Sequence, residues 1–75
     1  MDLRQVFATN LRRFRRKRGI SQEELAHEAK INRSYVSTLE NGLVYVGLEI
    51  IEKLAKTLDV EPSEFLKKNR KPKPK

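Results

Sequence analysis

Apolar residues recur along this chain at helical spacing. Leu3, Phe7, Leu11 and Phe14 fall on one face of a helix predicted over 2–18, with Gly19 as its stop. Ser21 followed three residues later by Glu24 forms a capping box that opens a second helix over 22–30, with Leu25, Ala26 and Ala29 inward. Asn32 is a good N-cap for a third helix over 33–41, which turns Val36 and Leu39 inward and ends before Gly42, a candidate left-handed cap. Leu48, Ile51, Leu54, Ala55 and Leu58 mark the inner face of a fourth helix over 48–58. After the Asp59-Val60-Glu61 turn, Pro62 suits the first position of a last helix over 62–68, with Phe65 and Leu66 closing the core. No segment alternates as a strand, and no internal repeat is visible. The pattern predicts an all-α fold of five short helices around one core.

Seventy-five residues make one domain at most and leave little volume for an enclosed catalytic pocket. Hydrophobic residues are 37% of the chain, enough for one small core beneath a highly charged surface. The expected organisation is a folded domain over 1–68 and a disordered basic tail over 69–75, where two prolines stand among Lys and Arg with no apolar residue. With no cysteine, disulfides and thiolate metal sites are excluded. No apolar run approaches the ~20 residues of a membrane span, and the N-terminus lacks the apolar stretch of a signal peptide, so a cytoplasmic address and no membrane contact are expected.

Charge adds a second signal. The formal net charge is +7, and it is unevenly placed. Residues 1–18 carry seven Arg or Lys against one Asp, residues 67–75 carry six and no acid, and the stretch between holds four against nine acids. Basic ends around an acidic middle suit a polyanion, because neutralised phosphates release condensed counterions. Basic residues late in the first helix also complement its macrodipole, so charge alone leaves a merely solvated helix and tail equally open.

Two short helices joined by Lys30-Ile31-Asn32 have helix-turn-helix spacing. Three strings of residues take this further: Gly19-Ile20-Ser21-Gln22-Glu23-Glu24-Leu25-Ala26, Asn32-Arg33-Ser34-Tyr35-Val36-Ser37-Thr38-Leu39-Glu40-Asn41-Gly42, and Leu54-Ala55-Lys56-Thr57-Leu58-Asp59-Val60. Together they resemble the phage-repressor-like (Cro/C1-type, XRE) helix-turn-helix family, which includes restriction–modification controllers and some antitoxins. The resemblance runs roughly from Phe7 to Leu66 and implies a compact lambda-repressor-like DNA-binding domain.

The resemblance also implies roles for individual residues. Gln22 matches a glutamine that bonds a DNA phosphate and braces the recognition helix; the plain alternative is a surface helix residue. With Val36 and Leu39 inward, Arg33, Ser34, Ser37 and Thr38 turn outward, at or near positions that reach base edges. Arg33 can donate twice to guanine O6 and N7, or clamp a phosphate at the helix start. Ser34, Ser37 and Thr38 are short and would read by close approach, water or thymine methyls. Asn32, Asn41, Arg15 and Arg16 are further candidate phosphate contacts, and Tyr35 is either another or packs on the second helix. Arg15 and Glu40 match a partly buried salt bridge between the first and third helices, which makes Glu40 structural.

The chain departs from the family pattern after the recognition helix, where a polar, basic stretch is usual. Here stands Leu43-Val44-Tyr45-Val46-Gly47, and Gly47 occupies a place where a capping Ser or a Pro is common. Either Val44 and Val46 tuck into the core, or Val44, Tyr45 and Val46 meet a second subunit; Phe65 and Leu66 are the other candidate dimer surface. The implied partners are a pseudo-palindromic operator in double-stranded DNA and a second copy of the chain, with half-sites ~34 Å apart. No cofactor, metal or small-molecule ligand is expected: His27 is the lone histidine, no cysteine nucleophile exists, and Glu23, Glu24 and Glu28 read as solubilising charge. The chain is therefore expected to be a transcriptional regulator and no enzyme. The main alternative is an antitoxin-like or adaptor module whose partner is another protein, favoured by the apolar 43–46 stretch. RNA binding is disfavoured by the lack of an aromatic stacking platform.

Overall fold

In the computed structural model, which describes residues 2–68, the chain forms four α-helices and a closing 3₁₀ turn. These are α1 (Leu3–Arg18), α2 (Gln22–Ala29), α3 (Arg33–Glu40), α4 (Leu48–Leu58) and the turn Pro62–Leu66. The basic segment 69–75 lies outside the described residues.

Each boundary has a local cause. The Asp2 carboxylate accepts from the Arg4 N–H at 2.9 Å and caps α1, while Gly19 ends it in the left-handed region at φ +71°. The predicted capping box is complete: Glu24 N donates to Ser21 Oγ at 3.0 Å, and Ser21 N donates to Glu24 Oε1 at 2.8 Å. Asn32 Oδ1 accepts from Ser34 N at 2.7 Å and starts α3. Expected and observed ends differ by one residue at Lys30 and Asn41, and both serve as C-caps. Lys30 takes the left-handed conformation at φ +59°, an unfavourable place for a side chain with a Cβ, so the chain can reverse sharply into α3. Gly47 starts α4 with no side-chain cap, as the absence of a hydroxyl there requires.

The core is one cluster drawn from all five elements, with Leu11, Leu25, Val36, Leu39, Leu54 and Phe65 fully enclosed. Phe65 lies between two rings of α1. Its centroid is 5.2 Å from Phe7 and 5.4 Å from Phe14, the latter edge-on. The alanines of α2, Ala26 and Ala29, are buried, and α2 packs against both α3 and α4.

The observed packing departs from the apolar pattern at several points. Leu3 and Leu48 sit on the apolar stripes of their helices, yet both are exposed; Leu48 retains 80% of its accessible surface. The stripes run past the ends of the core, where no neighbouring element covers them. The last helix is a five-residue 3₁₀ turn, too short to form a stable α-helix, and it buries Phe65 while leaving Leu66 exposed. Asn10 is buried on the inner face of α1, a placement that no apolar signal predicts. Its Nδ2 donates to the carbonyl oxygens of Phe65 at 2.7 Å and Lys67 at 2.8 Å, tying the end of the domain to its first helix.

Candidate nucleic-acid interface

The two faces of α3 have different fates. Val36 and Leu39 enter the core, and Tyr35 packs against it half-buried, which favours packing over a free hydroxyl arm. Arg33 and Ser34 are exposed, and Ser37 and Thr38 are half-buried. These four residues and Gln22 of α2 line one open concavity of about 390 Å³. Thr38 Oγ1 donates to Ser34 O at 2.9 Å, so its hydroxyl hydrogen is already committed and the outward chemistry of Thr38 is its methyl group and a lone pair. The oxygen of the exposed Asn32 is likewise committed to capping, leaving its NH₂ group for any other contact. Asn41 and Arg16 are exposed but do not line this concavity, so among the phosphate candidates only Gln22 shares it with the four outward residues of α3.

Beneath the concavity lies a polar knot. Glu40, 2% exposed, accepts from Arg15 Nε at 2.5 Å and Arg15 Nη2 at 3.0 Å, the pairing expected between α1 and α3. This hydrogen-bonded pairing holds the Arg15 guanidinium above its ordinary protonation range, against the opposing effect of desolvation. Two further links reach the same residue: Gln22 Nε2 donates to Glu40 Oε1 at 3.1 Å, a bond to the third helix of the kind the resemblance implies for Gln22, and Arg12, which no sequence signal marks, donates to the Glu40 carbonyl oxygen. Arg15 also donates to Ile20 O at 2.9 Å. The end of α1, the start of α2 and the end of α3 therefore meet at one carboxylate. No buried side-chain donor or acceptor among the described residues lacks a partner.

A second, mostly apolar groove lies elsewhere on the surface, lined by Leu3, Arg4, Phe7, Val44, Tyr45, Val46, Leu48, Ile51 and Leu66. The two candidate dimer surfaces are thus one surface. Val46 is half-buried against the core, whereas Val44 and Tyr45 project, Tyr45 at 70% exposure with the Arg4 guanidinium 4.9 Å from its ring centre. Phe65, named with Leu66 as a contact candidate, is wholly buried and presents nothing to a partner. His27 shares an exposed depression with Glu23, Glu24 and Glu28. Among the described residues, no helix is long and apolar enough to cross a membrane.

Comparison with known proteins agrees with this geometry. A helix-turn-helix family model matches residues 11–65. A hypothetical transcription factor of Neisseria meningitidis is 45% identical over 65 residues, which are 87% of this chain and 61% of that protein, so the chain spans less than two thirds of it. The control protein C.BamHI of Bacillus amyloliquefaciens is 39% identical over 66 residues, covering 87% of this chain and 82% of that protein. The crystal structure of the restriction-modification controller protein C.AhdI of Aeromonas hydrophila superposes with a TM-score of 0.79 at 44% identity, covering 83% of this chain and 94% of that one. With the matched region running from the first helix through α2, the turn and α3 to Phe65, the chain belongs to the helix-turn-helix family, of the Cro/C1 type.

Proposed function

We propose that this protein is a small dimeric regulator of transcription, of repressor or restriction–modification controller type, that binds a pseudo-palindromic site in double-stranded DNA. The observation that carries the proposal is the grouping of Arg33, Ser34, Ser37 and Thr38 with Gln22 around one open concavity. Eight helical residues span about 12 Å, a length that fits the width of the major groove. In this reading Arg33 reads a guanine, the three small residues approach neighbouring bases, and Gln22 holds a phosphate. In the same reading Asn32, Asn41, Arg15 and Arg16 supply supporting phosphate contacts. The apolar groove is assigned to a second copy, whose two-fold pairing would set α3 and its mate into successive turns of the duplex. A cytoplasmic address goes with this role, and no cofactor or small-molecule ligand is needed for it.

The test is selection of bound duplexes from a random pool, repeated with Arg33→Ala. A two-fold-symmetric site is expected, with preference relaxed at one position per half-site by about 1–3 kcal/mol in the variant. Salt-sensitive binding without any enriched sequence would refute specific readout. A second reading, an antitoxin-like or adaptor module, is favoured by the same groove if its occupant is a different protein; persistence of a monomer at high concentration would support it.

A further inference from the structure

Of the residues lining the concavity, Gln22 is the one that bonds the buried acid at the end of α3. We infer that Glu40 is the positioning residue for the Gln22 phosphate contact, an inference that rests on the DNA-binding reading above. The chemistry of the pair is one-directional. A carboxylate only accepts hydrogen bonds, so Gln22 must turn its NH₂ group, not its carbonyl oxygen, toward Glu40. The 3.1 Å bond from Gln22 Nε2 to Glu40 Oε1 uses one amide hydrogen and leaves the other for a phosphate oxygen. An unanchored glutamine would have to give up its rotamer freedom on binding, and in half of its amide orientations it would present a carbonyl oxygen to the phosphate.

Arg15 makes this arrangement compatible with a polyanion. It donates to both oxygens of Glu40, so the acid beneath the concavity is neutralised by a cation held at its side. Without that pairing, a carboxylate one side chain away from the phosphate would repel it. Burial completes the logic: Glu40 is enclosed while Gln22 is half-buried, so the amide bridges a fixed interior anchor and the open face. The salt bridge thereby does more than join two helices; it fixes the direction in which the DNA face donates.

The experiment is a double-mutant cycle on DNA affinity, using the full chain and a fluorescent duplex carrying the site enriched in the selection. Gln22→Ala is made in the wild type and in the Arg15→Leu/Glu40→Leu pair, which removes the anchor without stranding either charge. In the wild type, Gln22→Ala is expected to weaken binding about tenfold. In the paired background the same change is expected to cost less than about threefold, because the amide there is no longer held. An undiminished tenfold loss in both backgrounds would overturn the positioning role while leaving the phosphate contact intact. No loss on Gln22→Ala in the wild type would instead remove the contact itself and overturn the reading beneath it. Should the paired variant not fold, amide exchange in the wild type decides: one Gln22 side-chain proton should be protected from water both free and DNA-bound, and loss of that protection on binding overturns the inference.

Discussion

Changing Asn10 to Asp alters one group and almost no volume, yet it should damage this domain more than removing the side chain altogether. Asn10 is fully enclosed, with its NH₂ group donating to the carbonyl oxygens of Phe65 and Lys67 and its Oδ1 accepting from Arg13 Nη2 at 3.2 Å. Asn10→Ala removes both donations and leaves the Phe65 carbonyl unpaired, at a cost of about 2–3 kcal/mol. Asn10→Asp at neutral pH places a carboxylate, which has no hydrogen to give, against two carbonyl oxygens. The exposed Arg13 guanidinium offsets only some of that repulsion, so the expected cost is about 3–5 kcal/mol, the range for a buried charge deprived of its partners. A domain of this size is stable by roughly 3–10 kcal/mol, so either loss is a large fraction of the whole.

Urea unfolding followed by far-ultraviolet circular dichroism measures the difference, and thermal scans of Asn10→Ala should show a midpoint lowered by about 10–20 °C. The pH dependence supplies a second check. Burial beside two carbonyl oxygens raises the pKa of the introduced carboxyl in the folded state above its unfolded value. The folded state then binds the extra proton more readily, so the excess destabilisation of Asn10→Asp over Asn10→Ala shrinks as pH falls from about 7 to about 4. An Asn10→Asp variant no less stable than Asn10→Ala at neutral pH, or a difference indifferent to pH, would refute the assigned direction of these hydrogen bonds.

Three other outcomes are expected. Lys30→Gly should stabilise the domain by about 0.5–1 kcal/mol in urea titrations with an unchanged slope, because glycine relieves the left-handed strain at the turn; a loss of stability would show that the Lys30 side chain contributes more than its strain. Leu48→Glu should leave unfolding of the monomer within about 0.5 kcal/mol of the wild type, since the side chain is mostly exposed, but should dissociate the proposed dimer in sedimentation experiments; unchanged association would move the proposed interface elsewhere. The Arg4 side chain and N–H hold the Asp2 carboxyl below its ordinary pKa of 3.8, so its stabilising effect is present above that value and is lost as pH falls through the lowered one. Stability of the wild type relative to Asp2→Asn, which keeps a cap but does not titrate, should therefore fall in acid; a constant difference would exclude Asp2 as the titrating group.

Local signals in the sequence carried most of the fold. Ser21 with Glu24, Asn32 before Arg33 and Gly19 after Arg18 each act within four residues, so the boundaries they predict are the boundaries observed. Periodicity locates the inner sides of α1 and α4 but not how far the core extends along them, which is why Leu3 and Leu48 fall on the apolar stripes yet lie outside the core. Asn10 shows the limit more sharply. It stands three residues after Phe7 and four before Phe14, squarely on the apolar face, but its partners are carbonyl groups 55 and 57 residues away. Nothing in the neighbourhood of Asn10 encodes that meeting. The Arg15–Glu40 pair and the bond from Gln22 to the third helix are legible only through resemblance, and the Arg12 link to Glu40 depends on how the helices converge.

The separation of inward and outward residues on α3 has an evolutionary consequence. Arg33, Ser34, Ser37 and Thr38 lie outside the apolar core, while Val36, Leu39 and Glu40 secure the helix from within. If those four read DNA as proposed, duplicated copies of such a gene could exchange the outer set and acquire new targets without renegotiating the core. The helix behaves as a replaceable type-head on a fixed carriage, and divergence among paralogues should concentrate on those four positions.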